Sequence, residues 1–207
     1  MSSEVVVELI RLIPTVLWVL FIAILIGVFY KPIKHELLPR MSEFTAFGVA
    51  VTFIREELDR AIENQKANVS EGDRSQVLRR AQKVAPLLRE AQILWVDDHP
   101  EYNDYERRVL RSFGISIDLA RATKEALRML RQKNYDAVIS DMERDGVDDE
   151  GQRFVKEMLD EGLYRWTTFY AAAFDPSRGT PAYAHGMTNR PDHLLHNVMD
   201  ILERERS

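Results

Sequence analysis

Apolar and polar positions follow three different rhythms along the chain. From Leu12 to Tyr30 the sequence reads LIPTVLWVLFIAILIGVFY, with no charged residue inside it. At 1.5 Å per residue a helix of this stretch is roughly 28 Å long, close to the ~30 Å hydrocarbon core of a bilayer. Pro14 falls in the first turn, where its missing N–H costs little. Trp18 and Tyr30 are amphipathic, and Tyr30 is placed for a membrane interface. The stretch is too long for a signal-peptide core. Glu4 and Glu8 precede it and no small-residue cleavage site follows. The pattern predicts a single-pass transmembrane helix over residues 12–30. Lys31, Lys34 and Arg40 outweigh Arg11 across it, so the C-terminal part is expected in the cytoplasm of a bacterial-type inner membrane.

The second rhythm, over residues 32–91, is amphipathic. Pro32 and Pro39 break the chain after the span. Phe44–Ile54 (FTAFGVAVTFI) is apolar but too short to cross a bilayer. Phe47, Val49, Val51 and Phe53 fit a strand, and Phe44, Phe47, Val51 and Ile54 fit a helix stripe that runs on into REELDRAIENQKA. The helix is favoured, because good helix formers follow. SEGD (Ser70–Asp73) breaks the pattern, and Asp73 is expected to cap RSQVLRRAQKVAPLLREA. Val77, Leu78, Ala81, Val84, Leu87 and Leu88 share one face of that segment. Arg74, Arg79, Arg80 and Lys83 occupy the other as a solvated charged face or a contact for anionic lipid. Two such helices read as a hairpin or as a parallel self-association stalk, so homo-oligomerisation through residues 44–90 is expected.

From Gln92 onward short apolar runs alternate with helical patterns. ILWVD, ISIDLA, YDAVISD, TTFYAAA and a short HGMT read as strands. YNDYERRVLRSF (stopped by Gly114), KEALRMLRQKN (capped by Thr123), GQRFVKEMLDEG and PDHLLHNVMDILERER read as helices between and after them. This order predicts an α/β, doubly wound, five-stranded parallel sheet over residues 92–207. It is preceded by residues 32–91 and by the tail and span of residues 1–31.

Charge adds the chemistry. The chain is acidic overall, at −5, and carries no basic signature of nucleic-acid binding. It has no cysteine, which removes disulfides and thiol catalysis. Strand ends gather ligands in such sheets. Asp97 and Asp98 end the first strand and Asp141 ends the third. With those strands adjacent, three carboxylates meet at one edge and repel one another unless a cation lies among them. A hard divalent ion such as Mg²⁺ takes oxygen ligands and screens an incoming phosphoryl group, so that one carboxylate can act as nucleophile.

These residues resemble the receiver domain of two-component response regulators, over Gln92 to the C-terminus. VDD after the first strand is similar to the family's acidic pair, and ISD after the third is similar to its phosphoacceptor strand. The separation of Asp98 from Asp141 is close to the family's usual spacing, and NRP (Asn189–Pro191) resembles its Lys-Pro after the fifth strand. The resemblance implies a flavodoxin-like fold, with Asp141 as phosphoacceptor and Arg190 touching phosphate in place of lysine. It further implies Mg²⁺ on Asp97, Asp98, Asp141 and the backbone carbonyl of Glu143, and a histidine kinase or other protein as partner. Three features depart from the pattern. Ala171, Ala172 and Ala173 stand where a Ser or Thr hydroxyl would bind the phosphoryl group. MERDGVDDEG replaces the usual Met-Pro loop. FDPSRGTPAYAHG leaves little room for a fourth helix.

His99 is a loop residue on this reading. His193 and His196 lack further ligands, and Asp148, Asp149 and Glu150 are a solvated acidic loop. The expectation is a membrane-anchored, non-enzymatic signalling protein that accepts a phosphoryl group on Asp141. The alternative is a pseudo-receiver whose interactions or ligand cluster a membrane effector without phosphorylation. A phosphohydrolase is disfavoured, because no general acid or base accompanies the acidic set.

Overall fold

Alternate residues of the first strand go to opposite sides of a sheet, and both sides are covered. The computed structural model describes residues 52–171 and 179–206, together with Trp18 and Phe21. The span predicted over 12–30, and all but the last three positions of the apolar stretch 44–54, therefore lie outside the described residues apart from Trp18 and Phe21. Among the described residues no helix is long and apolar enough to cross a membrane.

The elements are helix α1 (described from 52 to 64), α2 (Glu71–Leu88), β1 (Gln92–Val96), a 3₁₀ turn (Pro100–Asn103) and α3 (Asp104–Ser112). They continue with β2 (Ser116–Ala120), α4 (Thr123–Gln132), β3 (Ala137–Ser140), α5 (Glu150–Asp160), β4 (Thr167–Tyr170), β5 (Ala184–Thr188) and α6 (Pro191–Arg206). The strands form one parallel sheet in the order β2-β1-β3-β4-β5. The five-stranded parallel α/β architecture expected from the sequence is present. Because β1 and β3 are central neighbours, with Val96 opposite Ser140, the residues just after them come together at the carboxyl edge.

Period-two alternation divides the core. Ile93 and Trp95 of β1, with Ile139 and Tyr170, face a cluster built with α1, α2, α3 and α6. Leu94 and Val96, with Val138 and Phe169, face a second cluster built with α4 and α5. Both faces of β1, β3 and β4 are buried, which accounts for the near-continuous apolar runs of β1 and β3. Gly114 takes φ 85° just past α3, a left-handed conformation that suits glycine and stops the helix.

The helical region 52–91 is not a free stalk. Leu58 and Ile62 of α1, and Val77, Ala81, Val84 and Leu88 of α2, share one core cluster with Val109, Leu110 and the apolar face of α6. Among the described residues, the apolar faces of 52–90 expected to drive self-association thus pack into the domain's own core. The opposite side of α2 is less solvated than the sequence suggests. Arg80 pairs with Asp200 and Glu203 of α6, and Arg74 with Asp59 of α1 at 2.9 Å.

Two helix starts also differ from expectation. Helix α2 begins one turn earlier than predicted. Ser70 is the N-cap and Asp73 occupies the third position, and the two side chains bond each other's backbone N–H in a capping box. The N-cap of α4 is Ala122. The Thr123 hydroxyl instead donates to Glu150 at 2.6 Å and accepts from Arg144 at 3.0 Å. A buried guanidinium and a neighbouring carboxylate are stronger partners than a helix-start amide.

Candidate functional site

The strand-end aspartates meet at the carboxyl edge of β1 and β3. Oxygens of Asp97, Asp98 and Asp141 all lie within 4.8 Å of one another. Each is held differently. Asp97 is buried: its Oδ1 accepts from the His99 backbone N–H (2.8 Å), and its Oδ2 from Asn103 Nδ2 (2.8 Å) and Trp95 Nε1 (3.3 Å). Asp98 Oδ2 accepts from the Asp145 backbone N–H at 2.9 Å, and Arg121 donates to the Asp98 carbonyl at 2.8 Å. Asp141 Oδ1 accepts from the Met142 N–H at 2.7 Å.

Burial pushes the Asp141 carboxyl up to about 6, and the nearby charges of Asp97 and Asp98 push it the same way, against the pull of the Met142 N–H and of Arg144. The cluster is thus short of positive charge. Arg144 does not supply it directly. Its buried guanidinium donates to the Ser140 hydroxyl (2.7 Å) and the Asp141 carbonyl (2.6 Å) rather than to the Asp141 carboxylate. It also reaches Thr123 (3.0 Å) and lies over the Phe154 ring at 5.7 Å. Arg144 fixes the loop after β3, which sequence reasoning missed; an arginine three residues beyond a strand-end aspartate carries no local signal of burial. Oxygen-only donors, convergence and a charge deficit fit a hard divalent cation. Among the described residues this is the one grouping of His, Cys, Asp and Glu with such geometry.

The cluster opens into a cavity of about 730 Å³ whose wall includes Asn103, Glu143, Tyr170, Ala171 and Asn189. Glu143, whose carbonyl is an expected ligand, therefore borders the site. Ala171 lies at the wall with its N–H bonded to the Thr188 carbonyl at 3.1 Å, and it offers no hydroxyl. Ala172 and Ala173 lie outside the described residues.

Arg190 is engaged elsewhere than at the carboxylates. Its guanidinium bonds both oxygens of Asp192, at 3.1 and 2.6 Å, and reaches Asp73 at the start of α2 at 3.4 Å. The sequence could not reveal this, because Asp73 is distant in the chain and reaches Arg190 only through α2 docking. Asn189, one residue earlier, faces the cavity. His193 is half-exposed beside Asp192, and His196 lies 3.1 Å from Arg80, so neither reaches the site. Asp148 and Asp149 are exposed, whereas Glu150 is tied to Thr123.

Residues 93–172 match the family model of the response regulator receiver domain. The receiver domain of a Francisella response regulator is similar in fold, with 18% identity and a TM-score of 0.50, covering 56% of this chain and 100% of that one. TrrA of Thermotoga maritima, solved in complex with Mg²⁺ and BeF, is 25% identical over 54% of this chain and 98% of its own, with a TM-score of 0.47. The chemotaxis response regulator CheY4 of Vibrio cholerae is 22% identical over 54% and 98%, also at 0.47. No curated protein matches the chain.

Proposed function

We propose that residues 92–206 work as a receiver domain that binds Mg²⁺ and accepts a phosphoryl group on Asp141. The observation that carries this reading is the convergence of three carboxylates at the carboxyl edge of β1 and β3. Asp97, Asp98 and Asp141 would hold the cation, with the Glu143 carbonyl beside them. The bound cation supplies charge neutralisation for carboxylates and phosphoryl oxygens alike. Asp141 then acts as nucleophile. One carboxylate oxygen bonds to phosphorus, the bond from phosphorus to the donor's leaving atom breaks (nitrogen in a phosphohistidine, oxygen in an acyl phosphate), and the leaving group departs with that electron pair. The Met142 N–H and the loop pinned by Arg144 keep the Asp141 carboxylate aimed at the cavity. A histidine kinase or other protein would be the donor, and the span over residues 12–30 would hold the domain at the cytoplasmic face of the membrane.

A second reading has its own support. Ala171 lacks the hydroxyl, and Arg190 is tied to Asp192 and Asp73. A pseudo-receiver that binds a cation or partner without being phosphorylated would look the same at these two positions.

The cation itself is tested by thermal unfolding with and without Mg²⁺. At ten times its dissociation constant Mg²⁺ is expected to add about 1.4 kcal/mol, or roughly 3–5 °C in a protein of this size. Asp97→Ala should abolish that gain. A wild-type protein indifferent to millimolar Mg²⁺ would remove the site from both readings.

A further inference from the structure

The carboxylate that sits deepest in the site is positioned from outside the α/β domain. Asn103, in the 3₁₀ turn, donates through Nδ2 to Asp97 Oδ2 at 2.8 Å. Asp97, an acceptor only, takes the amide's N–H end. Gln65, just past the end of α1, holds the other end. Its Nε2 donates to Asn103 Oδ1 at 3.0 Å and to Glu106 Oε1 at 3.1 Å. Glu106 is fully buried and also accepts from the Tyr170 hydroxyl at 2.8 Å, next to Ala171 on the cavity wall. One side chain therefore bridges the Asp97 side of the site and the end of β4.

Gln65 is itself held by the docking of α1. Leu58 and Ile62 are in the core, and Asn64 Nδ2 donates to the Tyr102 carbonyl at 2.9 Å. The chain closes just beyond Gln65: Lys66 takes φ 51°, and the Ala67 N–H bonds the Ile62 carbonyl at 3.0 Å. Moving α1 would withdraw Gln65, free the Asn103 amide and remove an oriented donor from Asp97.

We propose that Gln65 is a positioning residue for the cation site, and that through it the docking of α1 and the binding of Mg²⁺ favour each other. This rests on reading the carboxylate cluster as an Mg²⁺ site. The linkage is reciprocal: if docked α1 strengthens the site, Mg²⁺ must hold α1 down by the same factor. It gives the domain a route from the site to the chain that leads N-terminally out of α1, bypassing the position where Ala171 lacks a hydroxyl.

The experiment uses the full-length protein, calorimetric titration with Mg²⁺, and hydrogen exchange of residues 58–66. Gln65→Leu keeps the size and loses both bonds; it is expected to weaken Mg²⁺ binding by about fivefold or more. Glu63→Gln, at an exposed position of α1, leaves both the docking contacts and the Gln65–Asn103–Asp97 chain in place and should bind Mg²⁺ like wild type. In wild type Mg²⁺ should slow exchange across residues 58–66, and in Gln65→Leu it should not. A Gln65→Leu protein that binds Mg²⁺ as tightly as wild type overturns the inference, as does unchanged exchange in a wild type that binds Mg²⁺. Failure of wild type to bind Mg²⁺ at all overturns the site reading first, and this inference with it.

Discussion

Asp141→Asn is expected to be more stable than wild type near neutral pH in the absence of divalent cations. Burial and the charges of Asp97 and Asp98 push the Asp141 carboxyl up to about 6 in the folded protein. In the unfolded chain it returns to about 3.9. Between these values the folded state keeps a proton that the unfolded state releases. The stabilising contribution is therefore present at low pH, falls as pH rises from about 4 to about 6, and is gone above that. Two units would correspond to roughly 3 kcal/mol; partial solvent screening of this half-buried group brings the expected gain for asparagine to about 1–2 kcal/mol. Asparagine can still accept from the Met142 N–H, so packing is preserved. Denaturant unfolding at about pH 7.5 and again at about pH 4.5 measures the effect, and the gap should shrink at the lower pH. Added Mg²⁺ should close the gap from the other side, because it stabilises wild type and has one carboxylate fewer to bind in the variant. Equal stabilities at the higher pH would mean that Asp141 carries no electrostatic burden.

The second large effect is expected at Gly151, in the first turn of α5. A Cβ there would lie 2.7 Å from the Asp141 carbonyl oxygen, 2.7 Å from a Phe169 ring carbon and 3.0 Å from the Met142 Cα. Phe169 is fully buried and the other two atoms are backbone, so none can move aside cheaply. Alanine would gain up to about 1 kcal/mol in helix propensity. Overpacking of this kind costs about 1–3 kcal/mol or more, so destabilisation should win. The displaced backbone is that of Asp141 itself, and Mg²⁺ binding should weaken along with stability. Chemical denaturation and Mg²⁺ titration of Gly151→Ala together test this. A variant as stable as wild type would show that α5 is not packed tightly against the end of β3.

What the sequence made legible was local and periodic. Runs such as ILWV and AVIS declared buried strands. Their alternation with helices predicted a doubly wound parallel sheet, and the adjacency of β1 and β3 within it brought Asp97, Asp98 and Asp141 to one edge. The Ser70–Asp73 box was equally local and could have been read from its Ser-x-x-acid spacing. What stayed hidden depended on contacts between distant segments. An amphipathic helix announces an apolar face but not what covers it, so α1 and α2 read as a hairpin or a self-association stalk, and their packing on α3 and α6 was not visible. Arg190 has the right place in the chain for a phosphate contact, but Asp73 and Asp192 compete for its guanidinium. Asn103 and Gln65 are ordinary polar residues until the fold sets one against Asp97 and the other against Asn103.

The central claim is that Asp141 accepts a phosphoryl group. It is tested most directly by incubating the full-length protein with a small phosphodonor and Mg²⁺, then measuring the intact mass. Wild type should gain the mass of one phosphoryl group, only with Mg²⁺ present, and peptide mapping should place it on Asp141. Asp141→Asn should gain none. Wild type that binds Mg²⁺ yet stays unmodified, or an Asp141→Asn protein modified to the same extent as wild type, would contradict the account.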